Sequence, residues 1–404
     1  MTKEISIAQR MNKKRKQLYF ENKTRRHEGN QSPLSTRTAI GIPNSNSKNA
    51  KLSSFPFTLL HWIGLVQEST KIGKCIFPFV LLMGITDLSV TSIMRFKTLK
   101  MRVHLASIFS MICSLIIWCT IRRKAKHLSW LLLKLNGTCF PINENRWKFI
   151  TFLILCLPFA LTAGFLLNPN ITEILVFHSC GIEFKSYTLL TLIVVVKKFL
   201  HFLAYPTFPC MIVFLYCILC RHCSTCLCNL TGKVNKCSPE SFGPSEQMVV
   251  LREKIKIDDF LENIQDIFSV PSFFIIFSSF LSCSSVLGCR LVSGWNTYSV
   301  ILNMTRLCYG LFGFFCVAAV FWTAGELPIQ LHNLKEAFYK KAHLRFVFID
   351  CSEESLCKRE LLDKPEFVLN GCDVLSYKRS SLIAFVGAML TYTVLAVEIN
   401  DRSI

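Results

Sequence analysis

Acidic residues are scarce in this chain. Its 404 residues include 26 Asp and Glu against 46 Lys and Arg, a formal net charge of +20, and charged residues of either sign make up only 18%. Enzyme signatures are also missing. There is no His-Glu-x-x-His, no Gly-x-Ser-x-Gly, no Gly-rich phosphate loop ending in Gly-Lys-Ser/Thr and no Gly-x-Gly-x-x-Gly after a strand. No apolar stretch follows a charged segment within the first 30 residues, so no secretory signal is expected there. Cysteine is plentiful, at 20 residues, but it is scattered through apolar runs and basic loops and not gathered in one short, loop-rich framework. Most of these thiols are expected to pack as small apolar groups.

What is abundant is apolar length. Apolar residues make up 51% of the chain, with 34 Phe. At roughly 150 residues per domain the chain would hold two or three soluble domains. The apolar residues instead come in runs near twenty, the length that crosses about 30 Å of hydrocarbon at ~1.5 Å per residue. The chain therefore reads as an integral membrane protein. A soluble enzyme, a disordered chain and a secreted disulfide scaffold are excluded, and no nucleic-acid partner and no cofactor are expected.

The runs predict an all-α bundle of seven membrane-spanning helices at about 75–94, 103–121, 149–167, 188–220, 270–291, 304–325 and 381–399. Residues 1–54 read as a disordered basic cytosolic tail, with Lys13, Lys14, Arg15 and Lys16 able to meet anionic lipid. The membrane domain occupies 55–399, with 55–66 as an interfacial or re-entrant piece too short to cross. Residues 400–404 form a short outer tail. The fourth run is too long for one straight crossing: either it is tilted and extends beyond the bilayer, or its true crossing lies near 200–220.

Orientation follows from basic residues. With the N-terminus inside, the inner segments hold 36 Lys and Arg and the outer segments 6; without the long first tail the bias is still 22 to 6. This places the N-terminus inside and the C-terminus outside. The sequon Asn170-Ile171-Thr172 then falls in an outer loop and is the expected glycosylation site. Asn303 lies too close to the membrane and Asn229 on the wrong side.

Other groups have two readings. Asp87 in the first span could pair with Lys197 or Lys198 in the fourth, but both lysines are expected to reach the outer interface along their own stems. Cys180 could bond with Cys289 or Cys308. Cys220, His222, Cys223, Cys226 and Cys228 lack a second ligand pair, so palmitoylation or free thiols are preferred to zinc and no metal is expected. In the inner segment 326–380, Leu331, Leu334, Lys335 and Phe338 share a helical face, which predicts helices continuing below the membrane and packing on one another.

The C-terminal run reads Thr391-Tyr392, five residues, then Glu398-Ile399. It resembles the closing signature of the arthropod gustatory receptor family, related to the insect odorant receptors: Thr-Tyr, five mainly apolar residues, then Gln-Phe or a near variant. Glu398 stands where Gln is usual and Ile399 where Phe is. Upstream, Gly371, Asp373 and Leu375 replace a common Gly-x-Phe, so a divergent member is implied. The resemblance implies a chemosensory, ligand-gated, non-selective cation channel in the plasma membrane. It would be a homo- or hetero-tetramer, opened by small organic tastants bound in the outer half of the bundle. A cytosolic anchor would be built by the later spans. By position, Leu395, Glu398 and Ile399 would line the narrow part of the pore, with Thr391 and Tyr392 deeper. A G-protein-coupled receptor would need the opposite topology, and a transporter would need paired broken spans.

Overall fold

The computed structural model describes residues 65, 71–94, 101–137, 144–167, 175, 186–293, 300–349 and 367–401. The chain divides into two units, Met1–Lys51 and Leu52–Ile404, and every described residue belongs to the second. The basic tail, the interfacial piece apart from Leu65, Asn170 and Cys180 lie outside the described residues.

Helices α1 (Lys71–Met94), α2 (Met101–Arg123), α3 (Ala125–Gly137), α4 (Glu144–Leu166), α5 (Tyr187–Phe202), α6 (Phe208–Lys236), α7 (Pro244–Ser293), α8 (Val300–Ile349) and α9 (Arg379–Asp401) build the bundle. Each predicted span falls on one or two of them. Five helical stretches among the described residues are long and apolar enough to cross a membrane: Leu105–Arg123, Arg146–Leu166, Tyr187–Lys236, Pro244–Gly288 and Leu307–Val347. Ile76–Val90 and Arg379–Leu395 are shorter apolar helices. The chain is a multi-pass, helical membrane protein.

Composition decides where these helices leave the hydrocarbon. Helices α7 and α8 have 50 residues each, about 75 Å of helix. That is more than twice what a crossing needs. The first half of α7 is charged from Glu246 to Asp266, and α8 becomes charged from Glu326 onward. The polar halves are adjacent. Phe242, in the α6–α7 turn, meets Phe338 edge-on at 5.2 Å. Lys341 Nζ donates to the Cys237 carbonyl at 2.8 Å, and Arg345 Nη1 to the Glu240 carbonyl at 2.6 Å. The predicted face of Leu331, Leu334 and Phe338 is buried, with Lys335 at its edge. The inner segment thus does continue as packed helix. Here burial is from water, worth about 2 kcal/mol for each large side chain. In the hydrocarbon layer the same helices are held by close packing and hydrogen bonds, because lipid tails are as apolar as Leu.

Two stretches differ from expectation. Residues 122–148, read as an inner loop, contain α3. Its Leu128, Leu131, Leu132 and Leu135 are buried, and Lys124 just before it donates to Asp266 Oδ1 at 2.7 Å. The fourth run is not one straight rod. It is helical from Tyr187 to Lys236 but breaks at Leu203–Thr207, where Tyr205 is extended (φ −154°, ψ 125°) before a cis bond to Pro206. Prolines 206 and 209 offer no N–H to the preceding turn, which is why the helix parts there.

Ahead of α9 the chain forms a small hairpin, β1 (Asn370–Gly371) against β2 (Leu375–Ser376). Val374 N donates to the Gly371 carbonyl at 3.0 Å, and Cys372 and Asp373 have φ of 52° and 56°. This is a type I′ turn, whose two central residues must be left-handed. Helix α7 holds it by side chains. Gln265 Nε2 donates to the Asn370 carbonyl at 2.8 Å, and its Oε1 accepts from Asn370 N at 2.9 Å. Ser269 Oγ accepts from Cys372 N at 2.9 Å, and Ser272 Oγ shares a proton with the Tyr377 hydroxyl at 2.6 Å. Burial pushes the Tyr377 phenol up from its ordinary pKa, with the Ser272 bond opposing, so it stays a neutral hydroxyl at physiological pH. A Cβ at Gly371 would collide with the Tyr377 hydroxyl and approach Phe273 Cβ at 3.2 Å.

Gly371→Ala is therefore expected to destabilise the protein by about 1–3 kcal/mol, read as a lower Tm of the detergent-solubilised chain. Gly232→Ala, in open space on α6, is the control and is expected to hold or raise Tm.

Candidate functional site

The break in the fourth span draws four helices to one point. Having left helical geometry, Tyr205 turns its ring flat against Tyr309 of α8, with centroids 6.1 Å apart and planes 12° from parallel. Its hydroxyl meets Ser282 Oγ of α7 at 2.5 Å, and Ser282 in turn lies 3.3 Å from Ser110 Oγ of α2. Tyr205, Ser282 and Ser110 are all buried. Thr207 Oγ1 is buried at the same break and has no hydrogen-bond partner among the described residues. Phe202, one turn before, packs on Tyr309 at 5.9 Å and on Leu157 and Leu161 of α4. The result is a layer of aromatic rings with a short relay of hydroxyls, lined by α2, α4, α5, α7 and α8. The hydroxyls are the polar groups of an otherwise apolar layer.

No motif marks these residues. The only hint in the sequence was an over-long span holding Pro206 and Pro209.

Both intramembrane lysines were expected to reach the outer interface; Lys197 instead pairs with a carboxylate. Lys197 Nζ lies 2.6 Å from Asp87 Oδ1, joining α5 to α1. Lys198 Nζ lies over the Phe165 ring, 5.4 Å from its centroid. Lys197 is ten residues into α5, about 15 Å from its start, and Asp87 on α1 is within reach there.

Helix α9 has two unlike faces. Phe385, Met389 and Thr393, four residues apart, are buried against the bundle. Phe385 meets Phe280 of α7 at 5.8 Å and Phe321 of α8 at 6.5 Å. At its start, Gly325 of α8 lets α9 come close: a Cβ there would sit 2.8 Å from Arg379 N. Arg379 itself stacks on Trp322 at 4.5 Å. On the opposite face the described side chains are exposed. Thr391 and Glu398 lie along its centre and are exposed, and Leu395 flanks them at 52% exposure. Tyr392 falls on neither side cleanly: it is half exposed and its ring leans on Phe280 at 5.6 Å. It was grouped with Thr391, and adjacent helical residues diverge by 100°, which separates them. The backbone at Ile399 is helical, and its side chain is outside the described residues.

Among the Cys/His group on α6, Cys220 and Cys223 point into the core with His222, while Cys228 is exposed. His222 Nε2 and Cys226 Sγ lie 3.7 Å apart. Among the described residues no three Cys, His, Asp or Glu side chains converge as a metal site would require. Cys308 is a free thiol, and Asn229 is exposed on α6.

No family model and no curated protein matches the chain. Solved structures do. The insect olfactory receptor OR5 from Machilis hrabei superposes with a TM-score of 0.64 at 16% sequence identity, over 81% of this chain and 89% of that one. The same receptor in complex with eugenol gives 0.65 at 15% identity, over 84% and 96%. The chain has the fold of that insect olfactory receptor.

Removing Ser282 Oγ takes a partner from the buried Tyr205 hydroxyl, so Ser282→Ala is expected to cost about 1–3 kcal/mol. Tyr205→Phe combined with it should cost less than the two single changes together. Thermal unfolding of the four proteins measures that non-additivity, and strict additivity would break the proposed link.

Proposed function

We propose that the chain is a subunit of a gustatory-type chemosensory receptor: a ligand-gated, non-selective cation channel of the plasma membrane, opened by small organic tastants. One observation carries the reading. A bundle with the olfactory-receptor fold ends in a helix on which Thr391, Leu395 and Glu398 are exposed. Five long apolar helices and two shorter ones would make seven crossings, and the basic bias favours an inside N-terminus. The eugenol complex of the neighbour supports a small-molecule ligand, for which the Tyr205 layer is the natural seat.

In a four-fold assembly the exposed faces of α9 would line a common pore. Glu398 would become a ring of four carboxylates near the outer mouth, concentrating cations there. Leu395, one turn below, would narrow the path, and Thr391 would offer hydroxyls further in. The polar halves of α7 and α8 would form the cytosolic contacts between same or related subunits. Glycan at Asn170 would sit on the outer side.

The test is whole-cell recording from cells expressing the chain, with and without a related subunit, over a panel of organic compounds, after epitope tags have shown the C-terminus outside. Failure of every compound to evoke a current, or an N-terminal tag on the outside, removes the channel reading. Glu398→Gln is expected to weaken calcium permeation or block; an unchanged reversal potential in calcium would discard the carboxylate ring. Tyr392→Phe is expected to conduct as wild type, since its ring and not its hydroxyl meets Phe280.

A further inference from the structure

The contact face of α5 toward α4 is apolar except at one place. Leu190, Val194, Lys198 and Phe202 stand on successive turns, and the three apolar ones are buried. Leu190 and Val194 form one apolar cluster with Leu175 and Phe165. Phe202 forms another with Leu157 and Leu161, against which Cys308, Tyr309 and Phe312 pack. Along α5, Lys198 stands between the residues of the two clusters. Its ammonium faces a ring, Phe165 at 5.4 Å.

Among the described residues of α1 and α5, basic groups outnumber acidic ones at this level. Along α1 and α5, Asp87 is the one carboxylate among the described residues, and Lys197 holds it at 2.6 Å. His201, one turn beyond Lys198, offers no negative charge and sits with its ring 5.7 Å from Phe202. Two ammonium groups thus share one carboxylate at a depth where an ionic group needs a counter-charge. An aromatic face attracts a cation, but it does not neutralise it.

We propose that Lys198 is the anchor of a ligand site for organic anions, a carboxylate on an apolar or aromatic body. The carboxylate would bind the Lys198 ammonium, and the body would lie between Phe165 on one side and Phe202 and Tyr309 on the other. The body's far end would point toward the Tyr205–Ser282 hydroxyls. This assigns a substrate class to the ligand seat and rests on the chemoreceptor reading. Lys197 is excluded from the role because Asp87 already holds it. The charge selects acids over their neutral analogues, and the two clusters set the preference for an apolar tail.

Binding is tested on the full chain in nanodiscs of phosphatidylcholine, with phenylacetate and octanoate as probes and their primary amides as neutral counterparts. The acids are expected to raise Tm and the amides to leave it unchanged. Lys198→Met should weaken acid binding by at least about tenfold. Lys198→Arg should retain it, which separates loss of charge from loss of fold. The unliganded Lys198→Met protein should unfold no earlier than wild type, since an apolar residue replaces a partly buried ammonium. Equal acid binding by Lys198→Met, amides binding as well as acids, or no binding of either acid overturns the proposal. So does displacement of the probes by phosphatidylserine in the disc, which would give the site to a lipid headgroup. The readout needs no current. Acid binding without conductance refutes the channel and leaves the site; gating by neutral compounds alone refutes the site and leaves the channel.

Discussion

In hydrocarbon there is no water to satisfy a backbone N–H or carbonyl, and the helix is the only local solution. The rest of this structure follows from that constraint. Among the described residues the apolar runs are helical, and the interruption at Leu203–Thr207 is wrapped in protein. Ala204, Tyr205 and Thr207 are all buried at the break, and four other helices surround it. The same constraint explains why the break is where side-chain chemistry gathers. Freed from the helix, Tyr205 can point its hydroxyl at a neighbouring helix, and that helix answers with Ser282. A departure from regular backbone thus creates a polar relay in a layer otherwise made of Phe and Leu.

Much of the architecture was readable in advance, and for the same reason. A twenty-residue apolar run has few alternatives to a spanning helix, so all seven runs proved helical. The face of Leu331, Leu334 and Phe338 was equally legible, because helical spacing alone brings those side chains together. Helix α3 was not, since thirteen residues between two longer runs look like any connecting loop. The hairpin was also hidden: its turn uses Cys372 and Asp373 where Gly or Asn would have announced left-handed backbone, and its support comes from α7, about a hundred residues earlier in the chain. The pairing of Lys197 with Asp87 was one of two outcomes the sequence allowed. Nothing local marked Tyr309, Ser110 or Ser282 as neighbours of Tyr205.

The two ends of the functional argument differ in kind. The Tyr205 layer is built within one chain and can be described by its hydrogen bonds. The α9 face is defined by the exposure of Thr391, Leu395 and Glu398, and in the proposed assembly its partner would be another copy or a related chain. Glu398 gains meaning only in that company, whereas Lys198 acts within a single bundle.

One further consequence concerns α7. The same unbroken helix carries Ser282, which touches Tyr205, and Gln265, Ser269 and Ser272, which grip the hairpin leading into α9. The two groups are separated by only ten residues between Ser272 and Ser282, about 15 Å of helix. A rod that short transmits a rotation instead of absorbing it. Pro271 lies between the gripping residues and has no N–H for the turn before it, so this is where the rod gives way most easily. The residue that weakens α7 thus sits at the joint where a movement near Tyr205 would be handed to the last helix.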